Sequence, residues 1–271
     1  MRKGLLLTVI LGVVAFLIIP LAGCVFCPGW FPRLGPAPAV TGSQEMATWE
    51  YDLADFTNVS VSSAFTVDIT RSDSYRVSIT ANENLLDYLD VRKVGKTLYI
   101  GLKRAVYTNT RQEATVTLPE LLKLGLSSAS RGSISGFNSS GPLELTVSGA
   151  SSLTIAAVTV GDTEFDISGA SRVDGALEAG DCELGLSGAS TIDLEGSGVD
   201  ADIDASGASS ISLENFPVNN ARIDLSGASQ ATLNLSGKLD ANLSGASHLK
   251  YLGEPTLGSI RTSGGSTVSL R

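Results

Sequence analysis

The sequence predicts an all-β protein: a parallel β-helix, or β-solenoid, of about eight short right-handed coils, with an N-terminal β-rich part that caps it. Three observations lead there. First, Ser-Gly-Ala-Ser is written six times, beginning at Ser148, Ser168, Ser187, Ser206, Ser226 and Ser244. Counting atypical copies at Ser127 and Ser263, the steps are 21, 20, 19, 19, 20, 18 and 19 residues. A unit that recurs at a fixed period is usually structural, since a catalytic motif is needed once. Second, apolar residues alternate with polar ones in every copy. Three residues before each Ser stand Leu124, Leu145, Phe165, Leu184, Ile203, Ile223, Ala241 and Ile260, and one before stand Leu126, Val147, Ile167, Leu186, Ala205, Leu225, Leu243 and Thr262. Third, no helical period survives in the repeats. A unit of about 19 residues made of strands cannot bury its own apolar face, whereas coils stacked at ~4.8 Å can.

The elements follow in chain order. Residues 1–23 read as a lipoprotein signal peptide: Arg2 and Lys3, an apolar run from Gly4 to Ile19, then Leu21-Ala22-Gly23-Cys24, which resembles the bacterial lipobox. Cleavage before Cys24 and its lipidation would tether the chain to a bacterial cell membrane or outer membrane on the extracytoplasmic side. An uncleaved transmembrane anchor is the other reading of the apolar run, with the same side for the rest of the chain. Residues 24–46 are Pro- and Gly-rich without period and read as a spacer. Residues 47–122 hold five of the six tyrosines, eight of the 19 bases and several alternating stretches. In "FTNVSVSSAFTVDIT" the Ser-Ser-Ala-Phe echoes the repeat motif, and Asn82 to Val91 has room for one helical turn capped at Asn82 or Asn84. Residues 123–271 are the repeats. Cys182 reads as a small buried hydrophobe, because Cys27 and Cys182, the two cysteines beyond Cys24, are too few for a disulfide framework.

Within the motif, strict alternation would turn Gly and the second Ser inward, the Ser hydroxyls stacking on one another. A left-handed corner at Gly would instead let Ala turn in. Either way the motif is a corner of a thin rod. The final coil runs to Arg271, and Arg261 and Arg271 read as charged guards of its strand edges, which predicts a monomer or weak homo-oligomer.

The segments "YDLADFTNVSVSSAFTVDIT" and "YRVSITANENLLDYLDVRKVGKTLYIGL", followed by strands punctuated by Ser-Gly-Ala-Ser, resemble the head GIN domain family. These are bacterial envelope proteins, many of them lipoproteins, that carry an adhesin label. The resemblance covers about Trp49 to Arg271. It implies a β-helix and an adhesin-like surface protein, and it brings no catalytic residues with it.

Composition limits the chemistry. A net charge of −9 argues against nucleic acid. Loss of Arg2 and Lys3 leaves 17 bases against 28 acids, or −11 for a cleaved chain. The single histidine, His248, falls on an outward position, so a serine hydrolase is excluded. Two outward columns are acidic: Glu164, Glu183 and Asp202 four residues before the Ser, and Asp166, Asp204 and Asp224 two before. In register these would stack as like charges, which leaves either a solvated acidic face or a Ca²⁺ ion among them, with no other cofactor expected. The Gly-Asp nonapeptide of calcium-binding β-rolls is absent. Polysaccharide-cleaving β-helices build clefts from long insertions, and the widest irregularity here is Glu214 to Asn220. The function expected is therefore a membrane-tethered, non-catalytic surface for an envelope polysaccharide or surface protein. A polysaccharide-active enzyme is the alternative.

Overall fold

A computed structural model describes residues 37–271, which form one compact unit. The signal peptide (1–23), the lipidation candidate Cys24 and the spacer as far as residue 36 lie outside the described residues. The unit is a β-solenoid. Among the described residues two long walls run the length of the rod, one sheet of eleven strands and one of twelve. Each repeat gives one strand to each wall and turns between them at its Ser-Gly-Ala-Ser corner. The strand Cys182–Leu186, for instance, lies on the eleven-stranded wall, and Thr191–Ser197 on the other. All repeat strands pair in parallel with the preceding and following coil, and the register follows the sequence alignment: Phe165 opposite Leu184, Leu184 opposite Ile203, Ile203 opposite Ile223.

The core lies between the walls and is continuous from Phe56 to Leu249. The two apolar columns read from the sequence supply it, with Leu145, Ile167, Ile203 and Ile223 fully buried. Full burial of such a side chain contributes roughly 1.5–3 kcal/mol. Because every coil brings several, stacking is driven mainly by this term.

The corners differ from both expectations. The glycine does take a left-handed conformation (φ +79° at Gly207), but glycine and alanine both face solvent, and the second serine alone turns in. Two chains of hydrogen bonds explain this choice. The Ala208 N–H donates to the Gly188 carbonyl (2.7 Å), Ala228 to Gly207 (2.7 Å) and Ala246 to Gly227 (2.7 Å), so successive corners are tied through glycine. A β-carbon on Gly207 would fall well inside contact distance of the Gly188 carbonyl. The buried serine hydroxyls do not stack on each other. All but Ser171 donate to the carbonyl of the first serine of their own motif, as Ser209 does to Ser206 (2.8 Å) and Ser151 to Ser148 (2.7 Å). Some also accept from the preceding coil, as when the Ser130 N–H donates to Ser151 Oγ (3.2 Å). A hydroxyl has a better partner in a fixed carbonyl one turn away than in a neighbouring hydroxyl at strand spacing.

The N-terminal part is continuous with the rod. Asn58–Val61 and Thr66–Arg71 form a coil that pairs with the first repeat strands, and Ser-Ser-Ala-Phe is its corner, with Phe65 buried in the second serine's place. Thr97–Leu102 and Gln112–Leu118 extend the walls by one more coil. Beyond them the pairing turns antiparallel. Arg76–Asn82 and Met46–Tyr51 close the twelve-stranded wall, and Leu89–Val94 closes the other. The expected helical turn is a 3₁₀-helix, Glu83–Tyr88. Asn82 precedes it but makes no capping bond. Its amide instead donates to the Ser43 carbonyl (2.7 Å) and accepts from the Arg111 N–H (2.6 Å). The folded unit begins inside the stretch read as spacer: Ala39–Thr41 pairs with Val106–Thr108 because Val40 packs on Ala81 and Leu85. Among the described residues no helix is long and apolar enough to cross a membrane.

Two stability outcomes are expected. Ile203→Asp places an unpaired carboxylate in the core and costs several kcal/mol, while Asp202→Ser on the outer face is near neutral; equal shifts in Tm would show that the register is wrong. Gly207→Ala forces a left-handed alanine against the Gly188 carbonyl and costs about 1–3 kcal/mol by chemical denaturation.

Candidate functional site

The outer side of the eleven-stranded wall carries the acidic columns. Their pairing is in register: Glu144 opposite Glu164, Glu164 opposite Glu183, Glu183 opposite Asp202, and Asp202 opposite Arg222. Two positions along the strand, Asp204 stands opposite Asp224, while Gly185 interrupts the file between Asp166 and Asp204. The six carboxylates named from the sequence thus divide into two parallel files. Glu164, Glu183 and Asp202 line a groove of about 890 Å³. Asp166, Asp204 and Asp224 line a separate one of about 570 Å³, together with serines of the corners. Among the described residues no three His, Cys, Asp or Glu side chains gather as a metal site requires. Asp224 is also engaged already, by Arg222 (3.3 Å) and by the Asn242 amide (2.6 Å). The calcium expectation therefore gains no geometry here.

The larger groove has its cause in a different column of the repeat. Five residues before the corner serine, the inward side chains shrink from Leu143 to Thr163, Cys182, Ala201 and Ala221 before returning to Leu239. All are buried, and the groove lies over the small ones. One residue earlier stands a further outward column, Asp162, Asp181, Asp200 and Asn220, whose side chains reach along the rod axis. Asp162 accepts from the Asp181 N–H (3.0 Å), Asp200 from the Asn220 N–H (3.0 Å) and Asn220 from the Lys238 N–H (2.8 Å). Reading that column for Asp and Asn would have found these strand-entry bonds.

The bases of the groove sit near its ends and are paired: Lys123 with Glu144, Lys238 with Asp240 (2.6 Å) and Arg222 with Asp224 (3.3 Å). Among the described residues Asp162, Glu164, Asp181, Glu183 and Asp202 make no ion pair, and of these Asp202 has Arg222 opposite it, so the middle of the groove holds an excess of negative charge. Asp200 is held below the usual carboxylate range, chiefly by the Asn220 N–H and then by its side-chain amide. Asp240 is lowered by Lys238 and the Ser259 N–H. Burial pushes the Cys182 thiol up to about 12, with Asp181 and Asp162 adding to the shift, so it stays a neutral thiol on the groove floor. His248 lies on the other wall, its Nδ1 hydrogen-bonded to Thr267 Oγ1 (2.7 Å). The tyrosines of the N-terminal part are half-buried in packing: Tyr75 against Phe56 (5.0 Å between centroids) and Tyr88 edge-on to Tyr107 (6.1 Å).

Residues 55–255 match the model of a protein family described as "Putative auto-transporter adhesin, head GIN domain". No curated protein matches the chain. Solved structures with a similar fold include one from Parabacteroides distasonis described as a putative lipid binding protein. It is 20% identical with a TM-score of 0.80, and the match covers 86% of this chain and 99% of that one. A putative adhesin from Parabacteroides merdae is 20% identical at a TM-score of 0.77, covering 87% and 100%. Another from Parabacteroides distasonis is 20% identical at 0.75, covering 86% and 100%. At these identities the likeness establishes the fold.

The Asp200 arrangement predicts a titration. Its midpoint, followed by carboxyl-carbon NMR, falls below the ordinary ~3.9 for Asp, and Asn220→Ala raises it. The sign follows from a depressed folded value: the contribution is complete above the unfolded pKa and is lost as pH falls through the folded one. An unshifted midpoint in the wild-type chain would contradict the hydrogen bonds.

Proposed function

The chain belongs to the head GIN domain family, and from that premise we propose that it works by presenting the wall of a rigid rod for binding, without catalysis. It is tethered to a bacterial membrane by lipid on Cys24 and faces away from the cytoplasm. Its partner is an envelope polysaccharide or a surface protein, and it acts as a monomer or weak homo-oligomer. The observation that carries this reading is the continuity of the walls. The coils turn at equivalent corners and pair in register, and among the described residues no long insertion rises from a wall to enclose a reacting group. A binding surface needs rigidity and repetition, and the stack supplies both.

Polysaccharide cleavage remains the second reading, because the larger groove is lined by carboxylates. Glycoside hydrolysis needs two carboxyls in unlike environments, one of them kept protonated. The groove carboxyls with a clear shift, Asp200 and Asp240, are shifted downward, opposite to what a general acid requires.

The test presents the full-length chain to envelope polysaccharides and surface proteins and assays the same mixtures for new reducing ends. Retention without reducing ends supports a binding role; their release would establish the enzyme. For the tether, Cys24→Ala is expected to release the chain from the membrane fraction or leave its precursor uncleaved. An intact Met1 on the membrane-bound wild-type protein, found by mass spectrometry, would overturn the lipid anchor.

A further inference from the structure

We propose that the larger groove on the eleven-stranded wall is a docking site for a basic, extended peptide segment lying along the rod axis. The proposal deepens the surface-presenting reading and rests on it, naming the groove as the surface and the partner as a lysine- or arginine-bearing strand.

Three features of the groove point to that chemistry. The first is its composition. The floor runs over Leu143, Cys182, Ala201 and Ala221, and the sides carry the carboxylates of Glu164, Glu183 and Asp202. Lys and Arg combine a long apolar stem with a cationic head, so they can cover such a floor while reaching such sides. The second is the charge balance. Bases occur near the ends and are each paired with a carboxylate, whereas the middle rungs have no ion pair among the described residues. The unmet charge is therefore negative, central and linear. The third is length. The groove crosses eight consecutive strands, from Asn58–Val61 to Lys238–Leu243. Seven strand spacings of ~4.8 Å give about 34 Å, which holds about ten extended residues at ~3.3 Å each. Alternate side chains of such a peptide recur at ~6.6 Å. The flexible lysine stem can take up the mismatch with the carboxylate ladder.

Other occupants fit less well. A divalent cation needs carboxylates that converge, and no three His, Cys, Asp or Glu side chains do so among the described residues. A neutral sugar chain calls for aromatic platforms, and no aromatic side chain among the described residues lines the groove. Nucleic acid is repelled by the same carboxylates.

The experiment measures fluorescence anisotropy of a labelled octapeptide of alternating lysine and alanine against the full-length chain at two salt concentrations. Saturable binding that weakens with salt is expected. Glu164→Gln/Glu183→Gln/Asp202→Asn should weaken it by about tenfold or more. Glu178→Gln/Asp193→Asn/Glu195→Gln, which removes equal charge from the other wall, should change it by less than about twofold. Thermal melts of both variants confirm that the fold is kept. Replacing lysine with diaminopropionic acid keeps the charge but removes the stem, and weaker binding is expected if the floor contributes. No binding at low salt, equal loss in both triple variants, or equal affinity of the short-stem peptide would each overturn the proposal. If the chain retains envelope material but not the peptide, the groove assignment fails alone. If it binds the peptide but no envelope material, the groove stands and the wider surface reading fails.

Discussion

Everything in this rod depends on how closely one corner can approach the next. Coils stack at the spacing of parallel strands, and the corner must keep that spacing where the chain turns between walls. The left-handed glycine does so by bringing its backbone against the preceding corner's carbonyl, with the following alanine N–H closing the contact at 2.7–2.8 Å from Gly169 onward. A side chain at that position has no room. Earlier corners use a looser variant in which two successive residues are left-handed, Ser63 with Ala64, Ser128 with Ala129 and Gly149 with Ala150. There the Ala129 N–H points forward to the Gly149 carbonyl instead of backward. Serine is tolerated in the glycine position only in that variant. The glycine thus permits the tight stack, the inward serine satisfies the corner's carbonyl, and the apolar columns provide the driving force.

Much of this was legible in the sequence, because a solenoid converts sequence period directly into spatial neighbourhood. The alignment that set Leu184 beside Ile203 is the strand register itself. The Ser-Ser-Ala-Phe echo marked a real coil in the N-terminal part. The sequence was less informative where a choice is made among hydrogen-bond partners of similar worth. Nothing in Ser-Gly-Ala-Ser says whether a buried hydroxyl bonds sideways to its counterpart or back to its own turn. Nor does Asn82, placed as a helix cap, announce that it fastens the segment at Ser43 and Arg111 instead. The acidic columns were visible, but the groove was not. It arises from the inward neighbours Thr163, Cys182, Ala201 and Ala221, whose smallness matters only once their column is known to lie beneath the carboxylates.

The acidic wall carries an electrostatic cost. Like charges in register on adjacent strands destabilise pairing by tenths of a kcal/mol to about 1 kcal/mol per contact. Several features reduce it. Asp162 and Asp200 turn to accept backbone N–H groups of the next coil, which converts repulsion into strand-entry bonds. Gly185 breaks the second file, and at its far end Arg222 and Asn242 compensate the charge of Asp224. In the file Glu164–Glu183–Asp202 only the last member faces a base, Arg222 on the next strand, and none makes an ion pair among the described residues. Its charge is left to solvent, or to something that comes to it.

That asymmetry bears on what a solenoid can do. Catalysis needs a few groups in unlike environments, a nucleophile or base set apart from an acid. Repetition works against this, because each coil offers its side chains nearly the same surroundings as the last. Binding of a linear partner gains from the same equivalence: each rung adds a weak contact at a fixed spacing, and the contacts sum on a wall already held rigid by its core. A chain that keeps its step within 18–21 residues and avoids insertions has kept its rungs equivalent. The design therefore favours many like contacts along an axis over one specialised site.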